Sequence, residues 1–426
     1  MEKRMFAVLA AIALPLLANE LLAQNEPIPK ILTLEQAVEL ALTRNPTLLA
    51  ARNSIEMAEA DVVSAGLHPN PAVSFESESY PYFRSNPGPF FSNQEITARF
   101  DYEFQTKRRL KLGTEAAEVS IRKEAAMFED TARRLRLEVR VAFYQVLLAE
   151  SNRRLAQAIL DQTDQVIALN RTRFEEGEIS GLELTRIEVE RLRFADDLFQ
   201  VRLESQNAKA SLLALLNAPD LAADLQVRGD LNEMPYLGIP LAATGAEVLR
   251  MANNQRPDMR AAMAEIERSS AQNRLQRAIA SPNITVGGGY KRDGPDHSLV
   301  AGITVPLNIF DRNQGEILRS EAEMRQAANL FAGVRNRIAL EVRQAYNALQ
   351  INRERVEYIR TQQVQQAEDA SRVTLAAYRL GGAPLMNYLD AQRRYRDTMR
   401  VLNQALFDER VSMFALAAAI GEVQEQ

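Results

Sequence analysis

The chain has 426 residues, 25% charged and 46% hydrophobic, with a formal net charge of -5. That balance describes an ordered protein, and with both signs mixed along every predicted helix it leaves no basic footprint for nucleic acid. Cysteine is absent and histidine occurs twice, which excludes disulfides, thiolate metal sites, a cysteine nucleophile and a lipidated cysteine.

Residues 1–23 read as a secretory signal peptide. Lys3 and Arg4 form a basic start, Phe6 to Leu17 an apolar core, and Ala18 or Ala23 a small residue before the cut. No later run approaches ~18 uninterrupted apolar residues, so no transmembrane helix is expected and any membrane crossing falls to strands.

From about Leu32 the chain states an order of signals that it repeats from about Gly245. The first repeat covers 24–218, a linker 219–244, and the second repeat 245–426. In the first, Thr33 caps a helix with Gln36 as its capping-box partner. Asn45-Pro46 interrupts that helix, and Leu67-His68-Pro69-Asn70-Pro71 ends its continuation. Arg256-Pro257 and Ser281-Pro282-Asn283 are the matching breaks in the second copy.

A β-hairpin follows each break, over 72–104 and 283–306. Ile96, Ala98, Phe100, Tyr102 and Phe104 alternate with Thr97, Arg99, Asp101 and Glu103, and Val73, Phe75 and Ser77 with Ser74, Glu76 and Glu78. In the second copy Ile284, Val286, Gly288 and Tyr290 share a face, as do Leu299, Ala301, Ile303 and Val305. Strict period-two alternation over about nine residues suits a tilted membrane strand. It also suits two hairpins of a soluble sheet packed on a helix. Tyr82, Phe83, Phe90 and Phe91 lie between the first two strands and suit an interface belt.

No proline occurs from Lys111 to Phe174, predicting a helix of roughly 95 Å at ~1.5 Å per residue. A tip at 174–180 turns it into a second long helix. Leu184, Ile187, Arg191, Phe194, Leu198, Val201, Ser205, Ala208, Leu212 and Leu215 keep the 3,4 spacing of a coiled-coil seam along it. The second copy repeats the rod from Gln314 to Tyr378, the tip at 378–384, and a return seam from Tyr395 to Ile420.

The fold class is therefore mainly α with a small membrane β part, a duplicated helix–strand–strand–helix unit. Four strands per chain cannot close, and an open sheet edge in hydrocarbon would leave backbone groups unpaired. Eight strands is the usual minimum for closure; two chains would supply eight and three would supply twelve, of which only the larger leaves appreciable room inside. A soluble periplasmic coiled-coil adaptor or scaffold is the competing reading, since it shares the helical hairpins without needing lipid-patterned strands.

The layout resembles the TolC-like outer-membrane factor family, the exit ducts of Gram-negative efflux and type I secretion. The resemblance rests on the duplication and on Leu67-His68-Pro69-Asn70-Pro71, Phe104-Gln105-Thr106-Lys107-Arg108-Arg109, and the run from Pro306-Leu307-Asn308-Ile309-Phe310 to Asp311-Arg312-Asn313-Gln314-Gly315. It leans to the branch serving heavy-metal cation pumps. It implies a homotrimer with a twelve-stranded β-barrel in outer-membrane lipid on a long periplasmic α-helical barrel. The implied partners are a periplasmic adaptor and an inner-membrane pump of the resistance-nodulation-division type. Many relatives carry a lipidated cysteine; with none here, the barrel is expected to be the anchor.

The resemblance also assigns sites. Family tips carry an Arg/Tyr-x-x-Gly turn that meets the adaptor, matched by Arg173, Phe174, Gly177 and Ser180 and by Tyr378, Arg379, Gly381 and Pro384. Beyond the second tip relatives place two acidic residues one turn apart as pore-constricting rings; Asn387 and Asp390 match, so one ring loses its charge. Plain helix-hairpin punctuation, and a surface aspartate without a role, are the competing readings.

No enzyme chemistry is expected. His68 and His297 lie in different copies without neighbouring ligands. Gly287-Gly288-Gly289 has no Lys-Ser/Thr after it and falls within a strand, so it is not a phosphate loop. Glu175 and Glu176 sit on a solvated turn. No catalytic residue, metal site or cofactor is predicted.

Overall fold

A computed structural model describes residues 28–78, 94–218, 225–234 and 244–421. The signal peptide and the aromatic loop of Tyr82, Phe83, Phe90 and Phe91 lie outside the described residues. In chain order the elements begin with β1 (Ile31–Leu32), α1 (Leu34–Arg44), α2 (Pro46–Gly66), β2 (Ala72–Glu78), β3 (Glu95–Phe104), α3 (Arg109–Glu175) and α4 (Gly181–Leu215). They continue with β4 (Gln226–Val227), α5 (Gly245–Gln255), α6 (Pro257–Ile279), β5 (Ile284–Asp293), β6 (Asp296–Thr304) and α7 (Gln314–Ile359). A five-residue π-helical turn (Arg360–Val364), α8 (Gln365–Arg379) and α9 (Leu385–Ile420) complete the chain. No described helix is long and apolar enough to cross a membrane.

The residues fall into two compact units, one from Met1–Ala50, Glu129–Arg256 and Arg337–Gln426, the other from Ala51–Phe128 and Pro257–Asn336. In the first unit, Thr33 accepts from the Gln36 amide while the Gln36 side chain accepts from Thr33 N. Thr244 and Glu247 repeat this capping box at the start of α5. Each of α1 and α5 stops two residues before a proline, with extended Asn45 or Arg256 as its cap, and that proline opens the next helix at the position where its missing N–H costs least.

The seams predicted on the return helices face inward. Ile187, Phe194, Leu198, Val201, Ala208 and Leu212 of α4 are buried, as are Leu402, Leu406, Met413, Leu416 and Ile420 of α9. The polar interruptions on α4 are both satisfied by α3: Arg191 pairs with Asp164, and Ser205 donates to Glu150 at 2.6 Å. Two findings depart from expectation. Within the stretch read as a linker, β4 pairs in parallel with β1, and Leu225 and Leu231 are buried. Within the stretch read as one unbroken rod, the π turn separates α7 from α8. The inward positions Ile359, Gln363, Ala367 and Ser371 step by four three times in succession. An α-helix would drift about 120° over that stretch, and the wider π turn absorbs part of the mismatch.

The second unit carries one antiparallel sheet in the order β2-β3-β5-β6. Its register sets Val73 opposite Phe100, Phe100 opposite Gly288, Tyr102 opposite Val286, Val286 opposite Ile303 and Tyr290 opposite Leu299. Directly opposed residues point to the same side, so the apolar sets of all four strands merge into one exposed face. The other face carries Arg99 bonded to Asp101 at 3.2 Å and Lys291 paired with Glu95. Gly287 and Gly289 lie beneath the first pair. A Cβ on Gly289 would come within 2.2 Å of the Ala98 carbonyl oxygen, and one on Gly287 within 1.8 Å of the Asp101 carboxylate.

Candidate functional site: the paired helical tips

All the candidate tip and gate residues belong to the first unit. At the first tip the amide of Glu178 donates to Arg173 O (2.8 Å), and at the second that of Gly382 donates to Ala377 O (2.8 Å). These six-to-one bonds close each helix only if the intervening residue turns left-handed. Gly177 (φ 77°) and Gly381 (φ 76°) do so. Ser180 then caps α4 by accepting from Glu183 N, while Pro384 occupies the same position before α9 without a side-chain bond.

The structure brings the two tips together through Arg173 and Tyr378. The Arg173 guanidinium donates to Tyr378 O (3.4 Å) and Arg379 O (2.7 Å), and it lies over the Tyr378 ring at 5.6 Å. Arg173 thus supplies charge to the last carbonyls of α8, where a cation is favoured. Tyr378 itself is buried; its hydroxyl donates to Asn170 and its ring stacks on Tyr388 with centroids 5.9 Å apart. Val166, Ile167, Ile187, Leu385 and Leu389 surround the two rings. Burial pushes the Tyr378 phenol up despite the Asn170 bond, and it pushes Tyr388 up to about 12.

Phe174, Gly177, Ser180, Arg379, Gly381 and Pro384 remain toward the surface, Phe174 resting against Gly181. Leu380, directly before the turn glycine Gly381, is 87% exposed on the second turn.

Asn387 and Asp390 lie one turn apart on an exposed face of α9. Asp390 accepts a long bond from Arg393 (3.4 Å). The same Arg393 grips Glu190 of α4, donating from Nε at 2.7 Å and from Nη2. Those bonds, opposed by partial desolvation, hold Glu190 below the usual carboxylate range. No local pattern predicts this clamp, because its partners stand 203 residues apart.

Among the described residues no group of three or more His, Asp and Glu could hold a metal ion. His68 lies 3.5 Å from the Tyr102 hydroxyl, and His297 contacts that of Tyr290.

The comparisons agree with this architecture. The model of the outer membrane efflux protein family matches residues 37–218 and 248–422. The chain is similar to the cobalt-zinc-cadmium resistance protein CzcC of Cupriavidus metallidurans, 26% identical over 365 residues, covering 85% of this chain and 83% of that protein. It is also similar to the pyoverdine export outer membrane protein OpmQ of Pseudomonas putida, 26% identical over 390 residues, covering 84% and 79%. The crystal structure of the Campylobacter jejuni CmeC outer membrane channel shares the fold, with a TM-score of 0.76 at 16% identity over 92% of this chain and 87% of that one. Duplicated strand pairs, paired helical tips and a family match spanning both repeats lead to one assignment: the chain belongs to the outer membrane efflux protein family, residing in the outer membrane with its helical part in the periplasm.

Proposed function

We propose that the protein is a homotrimeric exit duct for heavy-metal cations, the outer-membrane component of a tripartite efflux system. The observation that carries the reading is the sheet. Four strands share one exposed apolar face, and among the described residues β2 and β6 have no outer neighbours. Bare strand edges are not tolerated in lipid, and three copies would supply twelve strands, enough to close around a passage. A second support is the back of α4, where Leu182, Val189, Leu192, Phe199 and Leu203 form an exposed apolar stripe at 7,3,7,4 spacing. That spacing fits a helix of a neighbouring copy.

Transport is conduction through a gate, with no bond made or broken. The tips, with Phe174, Leu380 and the turn glycines outward, are the surface for a periplasmic adaptor coupled to an inner-membrane pump. Asp390 from each copy would ring the axis and favour cations by local potential, with Asn387 supplying a polar but uncharged ring beside it. The metal assignment follows the resistance protein named above. Deleting the gene and complementing it tests the reading: zinc, cobalt and cadmium tolerance should fall and return together. Unchanged metal tolerance would reject the cargo, and a monomer in detergent would reject the duct.

A further inference from the structure

The end of the sheet where strands give way to helices is built around the turn after α6. Arg109 donates to Ala278 O (3.4 Å), Ile279 O (3.0 Å) and Ser281 O, while Thr106 Oγ1 donates to Pro282 O (2.7 Å). From the other side Asn308 donates to Ala280 O (2.8 Å) and Asn313 to Gln276 O (2.8 Å). Two segments, 106–109 and 308–313, are thereby fixed against one helix end, satisfying carbonyls that a helix C-terminus leaves open.

What the fixed segments display is unusual. Lys107 and Arg108, between the clamped Thr106 and Arg109, both take positive φ (53° and 55°). Two successive long side chains in the left-handed region persist only where the flanks over-determine them. Both are exposed, and among the described residues neither has a carboxylate partner. Arg312 is exposed as well, its Nε donating to Asn308 O (3.3 Å), while Asp311 is occupied by the Asn313 amide. Beside these cations the apolar series of β6 runs on past the strand. Leu299, Ala301, Ile303 and Val305 continue in step to Leu307 and Ile309, with Phe310 after them. Leu307 is 78% and Phe310 90% exposed, on a loop its own side chains hold still.

We propose that Lys107, Arg108 and Arg312 bind the phosphodiester head groups of the periplasmic leaflet, while Leu307, Ile309 and Phe310 enter the acyl region beside them. The proposal rests on the outer-membrane placement of the sheet. Continuity with the apolar face selects lipid as the occupant, because a surface in register with lipid-facing residues meets the leaflet boundary next. Unpaired cations against apolar anchors are the chemistry that a phosphate-over-hydrocarbon boundary complements. Two strained backbone positions then have a purpose: they aim adjacent cations at head groups from a rigid turn.

The chain contains no tryptophan, so Phe310→Trp makes a single reporter. The full-length variant is reconstituted in phosphatidylglycerol-containing vesicles, with bromine near the glycerol end of the acyl chains or near their termini. Expected are blue-shifted emission and quenching at least twofold stronger from the shallow bromines. Phosphatidylglycerol retained through detergent purification, read by phosphorus NMR, should fall at least twofold in the combined Lys107→Gln, Arg108→Gln, Arg312→Gln variant. Water-exposed emission, blue-shifted emission without lipid quenching (a second copy covering the loop), or unchanged lipid retention would each overturn the proposal. Leu299→Trp on mid-β6 separates the causes. If it is quenched while Phe310→Trp is not, only the proposed leaflet contact fails; if neither is quenched, the membrane placement fails with it.

Discussion

Arg393 of α9 grips Glu190 of α4 through two hydrogen bonds, and Glu190 is 5% exposed. The clamp joins the return helices of the two repeats one turn from Asp390, so it stiffens the element that carries the candidate gate. Replacing Arg393 with Ala leaves a buried carboxylate compensated by Arg193 at 3.3 Å and by the more distant charge of Arg396. The expected cost is about 1.5–3 kcal/mol, read as a lowered urea midpoint. Glu190→Gln should cost less, because it removes the charge that needs compensation.

Asp390→Asn removes the one carboxylate of the exposed pair Asn387 and Asp390. Single-channel conductance in planar bilayers should rise and block by divalent cations should weaken. Asn387→Asp should do the reverse, since it sets a second charged ring one turn away. Identical conductance for all three proteins would remove both residues from the gate.

Tyr378 and Tyr388 are stacked, buried tyrosines with different hydroxyl environments. The Tyr378 hydroxyl donates to Asn170, whereas that of Tyr388 has, among the described residues, no hydrogen-bond partner of ordinary geometry. Tyr378→Phe should destabilise by about 1 kcal/mol, and Tyr388→Phe should be neutral or stabilising. Because the folded phenol of Tyr388 titrates at about 12, its contribution is intact below the unfolded value near ~10 and is lost as pH rises toward the folded one. Thermal melts between those limits should show a fall that Tyr388→Phe reduces.

Acid should act on Glu150. Burial disfavours its charge, yet bonds from Ser205, Lys209 and Arg153 outweigh that and hold it at about 2. A depressed carboxylate stabilises above its unfolded value and loses that contribution as pH falls through the folded one. Between roughly pH 4.5 and 2 the loss should be on the order of 2–3 kcal/mol, and Glu150→Gln should flatten the pH dependence over that window.

Gly289→Ala forces a methyl against the Ala98 carbonyl oxygen, and Gly287→Ala forces one against Asp101. The first meets backbone in a paired strand and cannot be relieved by a rotamer change. It should cost about 1–3 kcal/mol, seen as poorer recovery of heat-modifiable oligomer than Gly287→Ala gives.

Much of the fold was written locally. The capping box at Thr33, the proline breaks at Pro46 and Pro257, and the seams on α4 and α9 are short-range patterns, each dictated by the period of its own element. The alternating strands and turn glycines were legible for the same reason. Other features needed the folded chain: the parallel pairing of β4 with β1, the π turn before α8, and the union of two hairpins into one sheet through β3 and β5. So did the linking of Arg173 to Arg379, of Glu190 to Arg393, and of Lys107 and Arg312 to one end of the sheet. Periodicity fixes which side of an element is apolar, because it depends on neighbours three or four residues away. Which charge meets which depends on chain closure across some two hundred residues, and no local pattern encodes that.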